Sequence, residues 1–540
     1  MQRVYGLFLA TVLLALGCTS ATQGPAAGPA DQPKPGGSLS IREATDFINF
    51  DPSTGLQGEA KYAGSLAYSG LMRFKSGPDL PYDEKILEPQ LAETWEVSPD
   101  AKTYTFHLRK GVKYANVAPV NGRELTSADV KFSFEYIGRL GEFKTKQFRG
   151  GNQILFKLEG LETIDTPDPY TAVVKFKTGF APFLTYAGTP DLAIMPKEIY
   201  QKNGDFSDLA VGSGPFLYSA SDSQSGTRQV WKKNPTYWET GLPYIDELRV
   251  LTIVDDVAAQ AAFQTKQLDI LLGLKSSDAD TLRRNAPGAN IQEWVGDQPL
   301  RIYYNINRAP FNDPNFRKAM ARAVDREEFV KALTQGKGQW GAAGVDNSVF
   351  TRDELKQMQP QDIEAGKRFL SQSSYTGANL DFDYTTEYGQ ELLSALQILQ
   401  AQQKKVGINI TINTMDRAQL SARRRQGDYT FSATGAGIGS EPDVDVLIFS
   451  YFHPSGIGGN NYYHLNDPAT IRLVEATRTE GDPAKRKENI RTAARFVNDN
   501  VYGMWIYQTA GANFWQSTVK NYAPNRADKR RISPDVWVDK

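Results

Sequence analysis

The side chains best suited to chemistry are few, and most of them lie in one stretch around residues 441–464. The chain has three histidines and one cysteine among its 540 residues. His453 and His464 lie eleven positions apart, and Glu441, Asp443 and Asp445 precede them at a spacing of two. Histidines with carboxylates can bind a metal ion or act as general bases, so a secreted hydrolase is one hypothesis. Acids that stabilise a helix start through its dipole are the structural alternative.

A glycine-rich segment immediately precedes these acids. Gly435-Ala436-Gly437-Ile438-Gly439 follows a predicted strand at 428–433 and differs by one position from the Gly-x-Gly-x-x-Gly pattern of dinucleotide sites. We interpret it as a ligand-binding loop, because backbone N–H groups at a helix start can contact a ligand. The sequence has no phosphate-binding loop, no Gly-x-Ser-x-Gly and no His-Glu-x-x-His motif. We therefore expect no cofactor, no metal site and no catalysis.

Composition and charge exclude several further classes of protein. With 40% hydrophobic and 23% charged residues, the chain resembles an ordinary soluble globular protein. A formal net charge of −1 argues against a nucleic-acid partner. The single cysteine, Cys18, excludes an intramolecular disulfide and a zinc site built from cysteine pairs. The length is sufficient for about three or four domains.

The first residues have the pattern of an export signal. Arg3 precedes an uncharged, mainly apolar run at 4–17, which is shorter than the about 20 residues of a membrane-spanning helix. The run ends in Leu14-Ala15-Leu16-Gly17-Cys18, which resembles a bacterial lipobox. We therefore predict a signal peptide at 1–17, cleavage before Cys18 and lipidation of that cysteine. An ordinary secretory signal with an incidental cysteine is the alternative.

The segment after the signal has the composition of a tether. Twelve of the nineteen residues at 19–37 are Ala, Gly or Pro, which cannot bury enough apolar surface to fold. Residues 18–37 are thus predicted to be the lipidated cysteine and a flexible tether. We expect an exported protein that is anchored by lipid to the cell membrane and faces the periplasm or the cell exterior.

The remaining sequence has the patterns of an α/β protein. The clearest unit shows alternating apolar residues at 380–384, a helical stripe at 392–399 and alternation again at 408–412. Strand, helix and strand in this order form a βαβ unit. Asp-Pro pairs begin at Asp313, Asp467 and Asp482, and each fits an N-cap acid followed by a proline at the first helical position.

Three segments together resemble the signature of a known family. They are residues 91–100 (LAETWEVSPD), 104–114 (YTFHLRKGVKY) and 125–130 (LTSADV). Further matches follow in order at 212–216, 234–246, 263–269 and 305–319. From Gly37 to the C-terminus the chain resembles the family 5 extracellular solute-binding proteins, which are the dipeptide- and oligopeptide-binding components of bacterial ABC importers.

The resemblance implies a two-lobed α/β fold of the periplasmic-binding-protein type II with an inserted domain. Lobe I would comprise a discontinuous domain at 38–68, 211–297 and 505–540 and an inserted domain at 69–210, and lobe II would span 298–504. The ligand cleft would lie between the lobes and close by bending near 297–303 and 502–508. The implied function is capture of a peptide-like solute for a membrane permease and its ATPase. We expect a monomer.

The resemblance leaves two classes of ligand open. Peptide-binding relatives usually carry an acid that fixes the α-ammonium of the peptide, but the corresponding stretch here, 435–438, has none. A buried ammonium without a counter-charge costs several kcal/mol. Either Glu441, Asp443 or Asp445 replaces the missing acid, or the solute lacks a free α-amine, as an oligosaccharide or another non-peptide solute does.

Aromatic and amide side chains complete the predicted binding site. We select Tyr68, Trp340 and Tyr462, together with Asn460 and Asn461. Aromatic faces stack on sugar rings and on peptide side chains alike, so these residues do not separate the two ligand classes. A place in the core or on the surface is the alternative for each aromatic residue.

Overall fold

The computed structural model describes residues 32–46, 49–54, 58–146, 154–434, 442–457, 459–528 and 531–539. At 58–61, 297–299 and 528 it describes the backbone alone. The leader with Cys18 lies outside the described residues, and so do four members of the predicted site, Gly435, Gly437, Ile438 and Glu441. Within the described ranges, no helix is both long enough and apolar enough to cross a membrane.

The strands are numbered here in chain order. They are β1 Ser38–Glu43, β2 Met72–Phe74, β3 Leu87–Pro89, β4 Ala92–Val97, β5 Thr103–Leu108, β6 Leu161–Asp168, β7 Thr171–Phe176, β8 Phe216–Tyr218, β9 Arg228–Lys233, β10 Glu247–Thr252, β11 Ile270–Lys275, β12 Asn290–Tyr304, β13 Gln339–Trp340, β14 Leu380–Tyr384, β15 Ile410–Thr414, β16 Phe431–Thr434, β17 Met504–Trp515, β18 Val519–Lys520 and β19 Trp537–Val538.

The α-helices are numbered in the same way. They are α1 Gly58–Leu66, α2 Ser127–Gly138, α3 Phe183–Ala187, α4 Lys197–Asn203, α5 Asp256–Gln264, α6 Ser276–Asn285, α7 Pro314–Ala323, α8 Arg326–Thr334, α9 Arg352–Met358, α10 Ile363–Ser371, α11 Gln390–Lys404, α12 Arg417–Gln426, α13 Asp445–Phe452, α14 Pro468–Thr479 and α15 Pro483–Asp499.

A large mixed sheet runs through the molecule. Its strand order is β15-β14-β16-β12-β17-β11-β1-β10-β9-β8, and β13 also pairs with β17. We call the part that contains β1 and β8–β11 lobe I, and the part that contains β14–β16 lobe II. The strands β12 and β17 lie between these two groups and connect them. A separate antiparallel sheet, β4-β5-β7-β6, lies within residues 69–210, the range that the sequence predicts as an inserted domain of lobe I, and we call this range the inserted domain.

The structure confirms the βαβ unit and the Asp-Pro helix starts that the sequence predicts, and it shows the same local rules in other elements. Strand β5 buries alternate side chains, including Tyr104 and Phe106, and α2 begins at the N-cap Thr126 with a capping box to Asp129. Strands β14 and β15 are parallel neighbours joined by α11, as the predicted βαβ unit requires. The acids of the three Asp-Pro pairs are the N-caps of α7, α14 and α15.

Separate hydrophobic cores support the two lobes. One core includes lobe I and the inserted domain, and a second lies within lobe II. A third, smaller core packs α5 and α6 against β11 and β17. Because each lobe has its own core, a change in the angle between the lobes would leave both cores intact.

Candidate functional site

The strands β12 and β17 cross from one lobe to the other as an antiparallel pair. Their register shifts twice, between Val295 and Pro299 and again between Pro299 and Arg301. An interrupted ladder bends more readily than a regular one. The interruptions overlap the segment at 297–303 where the sequence predicts a hinge, and the hinge itself stays a prediction.

The strand pair carries a row of buried polar atoms. Among the described residues, Gln292 Oε1, Trp294 Nε1, Thr509 Oγ1 and Asn513 Nδ2 are buried without a hydrogen-bond partner. Gln292 lies opposite Asn513, and Trp294 lies opposite Gly511. Since alternate residues of a strand share a face, all four side chains lie on the same face. Each such group costs roughly 1–3 kcal/mol, so a solute that supplied partners would be bound favourably.

On the opposite face of the same strands, apolar side chains pack against helices. Ile291, Ala512 and Phe514 belong to or pack against the small core under α5 and α6. The polar row therefore points away from these two helices. None of the four residues of the row was predicted from the sequence, because each one alone is an ordinary side chain within a strand.

Arg526 joins the lobes beside this strand crossing. Its guanidinium donates to Gly296 O at 2.9 Å, to Asp83 Oδ1 at 2.9 Å and to Asn347 Oδ1. Asn347, in lobe II, also donates from Nδ2 to Val295 O at 3.2 Å. The backbone of β12, lobe II and the inserted domain thus meet around one guanidinium.

The inserted domain contacts lobe II through an ion-pair network whose members in lobe II, Arg478 and Asp445, are buried. Arg478 Nε lies 2.8 Å from Asp445 Oδ1, and Arg478 Nη1 lies 2.7 Å from Glu159 Oε2 in the inserted domain. Tyr186, also in the inserted domain, donates its hydroxyl to Asp445 Oδ2 at 3.1 Å. Asp445 is the first residue of α13, which agrees with the helix-start interpretation of these acids.

Asp443 forms a second buried ion pair. Its carboxylate accepts from Arg486 at 2.7 and 3.0 Å. Burial opposes ionisation of Asp443, but the charge and hydrogen bonds of Arg486 hold its pKa below the usual range. For Asp445, burial prevails over Arg478 and raises the pKa. Of the three candidate ammonium-binding acids, Asp443 and Asp445 thus have cationic partners within the chain, and the role of all three in ligand binding stays a prediction.

A cationic, tyrosine-rich cluster lies at β16, which leads into the predicted binding loop. Arg424 Nη2 donates to Ser432 Oγ and to Ala433 O, both at 2.6 Å. Its guanidinium lies 5.5–5.9 Å from the rings of three tyrosines, Tyr303, Tyr388 and Tyr462. Within the described part of the chain, Arg424 forms no ion pair with a carboxylate, although Asp383, which pairs with the neighbouring Arg423, is near enough for its charge to interact with Arg424. A buried positive charge of this kind favours an anionic group on the solute.

A second buried arginine lies in the same strand pair as this cluster. Arg301 of β12 lies opposite Thr434, the last residue of β16. Its guanidinium bonds to the hydroxyl of Tyr451 and lies 5.8 Å from the ring of Trp505. Of the predicted liners, Tyr462 belongs to this cluster. Neither Arg301 nor Arg424 was predicted as a site residue, because an arginine in a helix or strand gives no sign in the sequence that it is buried.

Tyr68 and Trp340 lie apart from the cluster. Tyr68 is fully buried, and its hydroxyl is 3.4 Å from Leu209 O, which agrees with the core alternative. Trp340 is 8% exposed, and its Nε1 donates to Glu327 Oε2 at 3.1 Å. Their proposed contact with ligand stays a prediction.

The amides and histidines have local partners. Asn461 is fully buried and donates to His453 O and Leu465 O, while Asn460 Nδ2 lies 3.4 Å from Ser450 Oγ. His464 Nε2 lies 2.9 Å from Arg424 O. Across the described ranges, no group of three or more His, Cys, Asp or Glu side chains could hold a metal ion.

Known proteins that are similar to this chain indicate its family. The model of the bacterial extracellular solute-binding proteins, family 5 Middle, matches residues 87–459. Di/tripeptide-binding protein 1 of Pseudomonas aeruginosa is 27% identical over 474 residues, which are 84% of this chain and 85% of that protein. Heme-binding protein A of Haemophilus influenzae is 25% identical over 504 residues, with 88% of each chain covered.

A solved structure shows the same fold. The ABC transporter-associated periplasmic binding protein DppA of Helicobacter pylori, solved in complex with the peptide STSA, aligns with a TM-score of 0.75 at 22% identity. The alignment covers 94% of this chain and 99% of that one. The predicted two-lobed α/β fold is thereby confirmed, and the chain belongs to the bacterial extracellular solute-binding proteins of family 5.

Proposed function

We propose that this protein is the exported receptor of an ABC importer, and that it captures a peptide-like solute and delivers it to a membrane permease and its ATPase. The observation that carries the proposal is the row of partnerless polar atoms at Gln292, Trp294, Thr509 and Asn513 where the two lobes are joined. The row offers donors and an acceptor, and a peptide backbone supplies the complementary C=O and N–H groups. Membership of a solute-binding family and the peptide-binding relatives support it.

The charges around the cleft suggest which end of the solute is recognised. Arg424 is a buried cation whose hydrogen bonds go to neutral oxygens, so a carboxylate of the solute is a suitable partner. Asp443 and Asp445 are already paired with arginines. We therefore infer that the solute is bound through an anionic group and does not require a free α-amine. A non-peptide solute with a carboxylate, or an oligosaccharide, is the second candidate, which the missing acid at 435–438 favours.

Binding to a series of related peptides tests this proposal. Titration calorimetry would compare a tripeptide, its C-terminal amide, its N-acetyl form and an oligosaccharide. We expect the tripeptide to bind and to be recovered intact, amidation to weaken binding at least about tenfold, and acetylation to have little effect. Binding of the oligosaccharide but of no peptide would contradict the peptide proposal.

A pair of neighbouring variants locates the anionic group. Arg424→Met should abolish the difference between the free and amidated peptides, whereas Arg425→Met, at the exposed next position of α12, should keep it. If Arg424→Met still discriminates as the wild type does, Arg424 does not bind the carboxylate.

We also propose that the domain boundaries implied by the family resemblance apply to this chain and that the lobes close about β12 and β17. We expect the protein to act as a monomer without catalysis.

We further propose that lipid on Cys18 holds the protein at the membrane. The leader 1–17 and the tether composition of 19–37 support the anchor. Cys18→Ser should move the exported protein from the membrane fraction to the soluble fraction. Continued retention in the membrane fraction would refute the anchor.

A further inference from the structure

A cavity lies within lobe II and shares no lining residue with the polar row or the Arg424 cluster. It has a volume of about 270 Å³. Its walls come from α7, the start of α8, the segment 358–360 and the segment 498–504 that leads into β17. Since one water molecule occupies about 30 Å³ in the liquid, the cavity has room for a small ion and a few waters.

Three cations line this cavity, and Arg326 is the most deeply buried of them. Arg326 is 3% exposed, yet its Nε has no hydrogen-bond partner and its Nη1 reaches Gln359 O only at 3.5 Å. In contrast to Arg478 and Arg486, which are paired with aspartates, it has no carboxylate partner among the residues that the structure describes. Burial and the nearby charge of Arg322 lower the pKa of Arg326 to about 9.

The other charged groups of the lining leave this positive charge uncompensated. Arg322 Nη1 donates to Pro360 O at 3.1 Å, and Lys318 Nζ lies 5.9 Å from the ring of Phe369. Asp499 is an exposed lining residue that forms no ion pair with the three cations in the described structure. The lining of the cavity therefore contains three cationic side chains and one exposed carboxylate.

An acceptor without a partner lies in the same lining. Gln359 Oε1 is buried and has no hydrogen-bond partner in the described part of the chain. Gln359 Nε2 donates to Asn498 Oδ1 at 3.1 Å, which fixes the orientation of the amide. A ligand that satisfies both orphan groups must accept hydrogen bonds from Arg326 and donate one to Gln359.

We propose that this cavity binds a small oxyanion that retains a proton, such as hydrogen phosphate. Its unprotonated oxygens would accept from Arg326 and Arg322, and its O–H would donate to Gln359 Oε1. The positive charge of Lys318 would further attract the bound anion. At neutral pH phosphate still carries a proton whereas sulfate carries none, so the orphan acceptor predicts a preference for phosphate over sulfate.

Thermal unfolding and calorimetry of the whole protein with inorganic phosphate test the site, at an ionic strength held constant with chloride. We expect a saturable rise in Tm with phosphate and a weaker one with sulfate. Arg326→Met should weaken phosphate binding at least about tenfold. Its Tm without phosphate should not fall below that of the wild type, because an unpaired buried charge has been removed. Arg472→Met, at an exposed position of α14, should respond to phosphate as the wild type does.

Two results would overturn the proposal. One is a wild-type protein that shows no saturable response to phosphate, and the other is an Arg326→Met variant that responds as strongly as the wild type. If Arg326→Met does not fold, Arg322→Gln replaces it and should also weaken phosphate binding, since Arg322 lines the same cavity. An equal response to phosphate and sulfate would refute the role of Gln359 as an acceptor from the bound ion.

Discussion

The ammonium group of Lys85, in the inserted domain, lies 3.3 Å from the carboxylate of Asp346, in lobe II. Asp346 also accepts from the backbone N–H of Ser348 at 2.9 Å. Burial opposes its ionisation, but the charges of Lys85 and Arg526 outweigh burial and hold the pKa of Asp346 at about 2. Since both cations belong to lobe I, the charged form of Asp346 stabilises the contact between the lobes.

Asp346→Asn should therefore weaken solute binding. The amide cannot form the ion pair with Lys85, so the closed arrangement loses stability relative to the open one, and we expect the Kd to rise about tenfold. Titration calorimetry with a solute that the peptide series shows to bind would measure the change. Asp353→Asn, at an exposed acid of α9, is the matched control and should leave the Kd unchanged. An unchanged Kd in Asp346→Asn would show that this ion pair does not contribute to closure.

The ionisation of Asp346 should also make the affinity for solute depend on pH. With the lobes in the observed contact, the pKa of Asp346 is about 2, below its ordinary value of 3.8. A lowered pKa stabilises the closed form above about pH 4, and the contribution, at most about 2 kcal/mol, is lost as the pH falls from 4 toward 2. The affinity of the wild type should decrease over this window more steeply than that of Asp346→Asn. Parallel curves of affinity against pH for the two proteins would show that Asp346 does not cause the pH dependence.

Asp443 should contribute to stability more than to recognition of an ammonium group. Asp443→Asn leaves Arg486 buried without its partner, so the free energy of unfolding should fall by about 3–5 kcal/mol. The double variant Asp443→Asn with Arg486→Met should recover most of this loss. Urea unfolding measures both effects, and Glu364→Gln, which removes an exposed pair with Lys367, should change stability by less than about 0.5 kcal/mol.

The same variant also tests whether Asp443 binds the α-ammonium of a peptide. If Asp443→Asn keeps its stability but loses affinity for a peptide with a free α-amine, and not for the N-acetyl form, then Asp443 replaces the missing acid as the sequence suggested. Loss of stability without such discrimination would establish the ion pair as its role.

Local sequence patterns predict helices, strands and helix caps, but they do not predict which side chains form ion pairs. The βαβ unit at 380–414 and the N-caps at the Asp-Pro pairs depend on residues within a few positions of each other, so periodicity and capping rules find them. The ion pairs of Asp443 and Asp445 join residues 43 and 33 positions apart, and Arg478 reaches Glu159 across 319 positions. Such contacts arise from the packing of elements that are distant in the sequence, which no local rule contains.

The polar row was missed for a related reason. Gln292 and Asn513 become neighbours through the pairing of β12 with β17, more than two hundred positions apart in sequence. Each residue alone is an unremarkable polar side chain in a strand. Their lack of partners is visible after the strands are paired, because hydrogen bonding is a property of the assembled sheet.

Gly296 should be required for closure of the lobes. Its φ is +104°, and a Cβ at this position would lie 2.7 Å from Gln508 Oε1 and 3.0 Å from Asn347 Oδ1. Gly296→Ala therefore strains the backbone and displaces a contact between β12 and lobe II, so we expect the Kd for solute to rise at least about tenfold and Tm to fall. Gly288→Ala, where no atom lies within 4 Å of the added Cβ, is the control and should leave both values unchanged. Because Arg526 bonds to the carbonyl of Gly296, small-angle scattering should also show a more open molecule with solute present in Gly296→Ala than in the wild type. Equal affinity and equal dimensions would mean that the crossing strands adapt elsewhere.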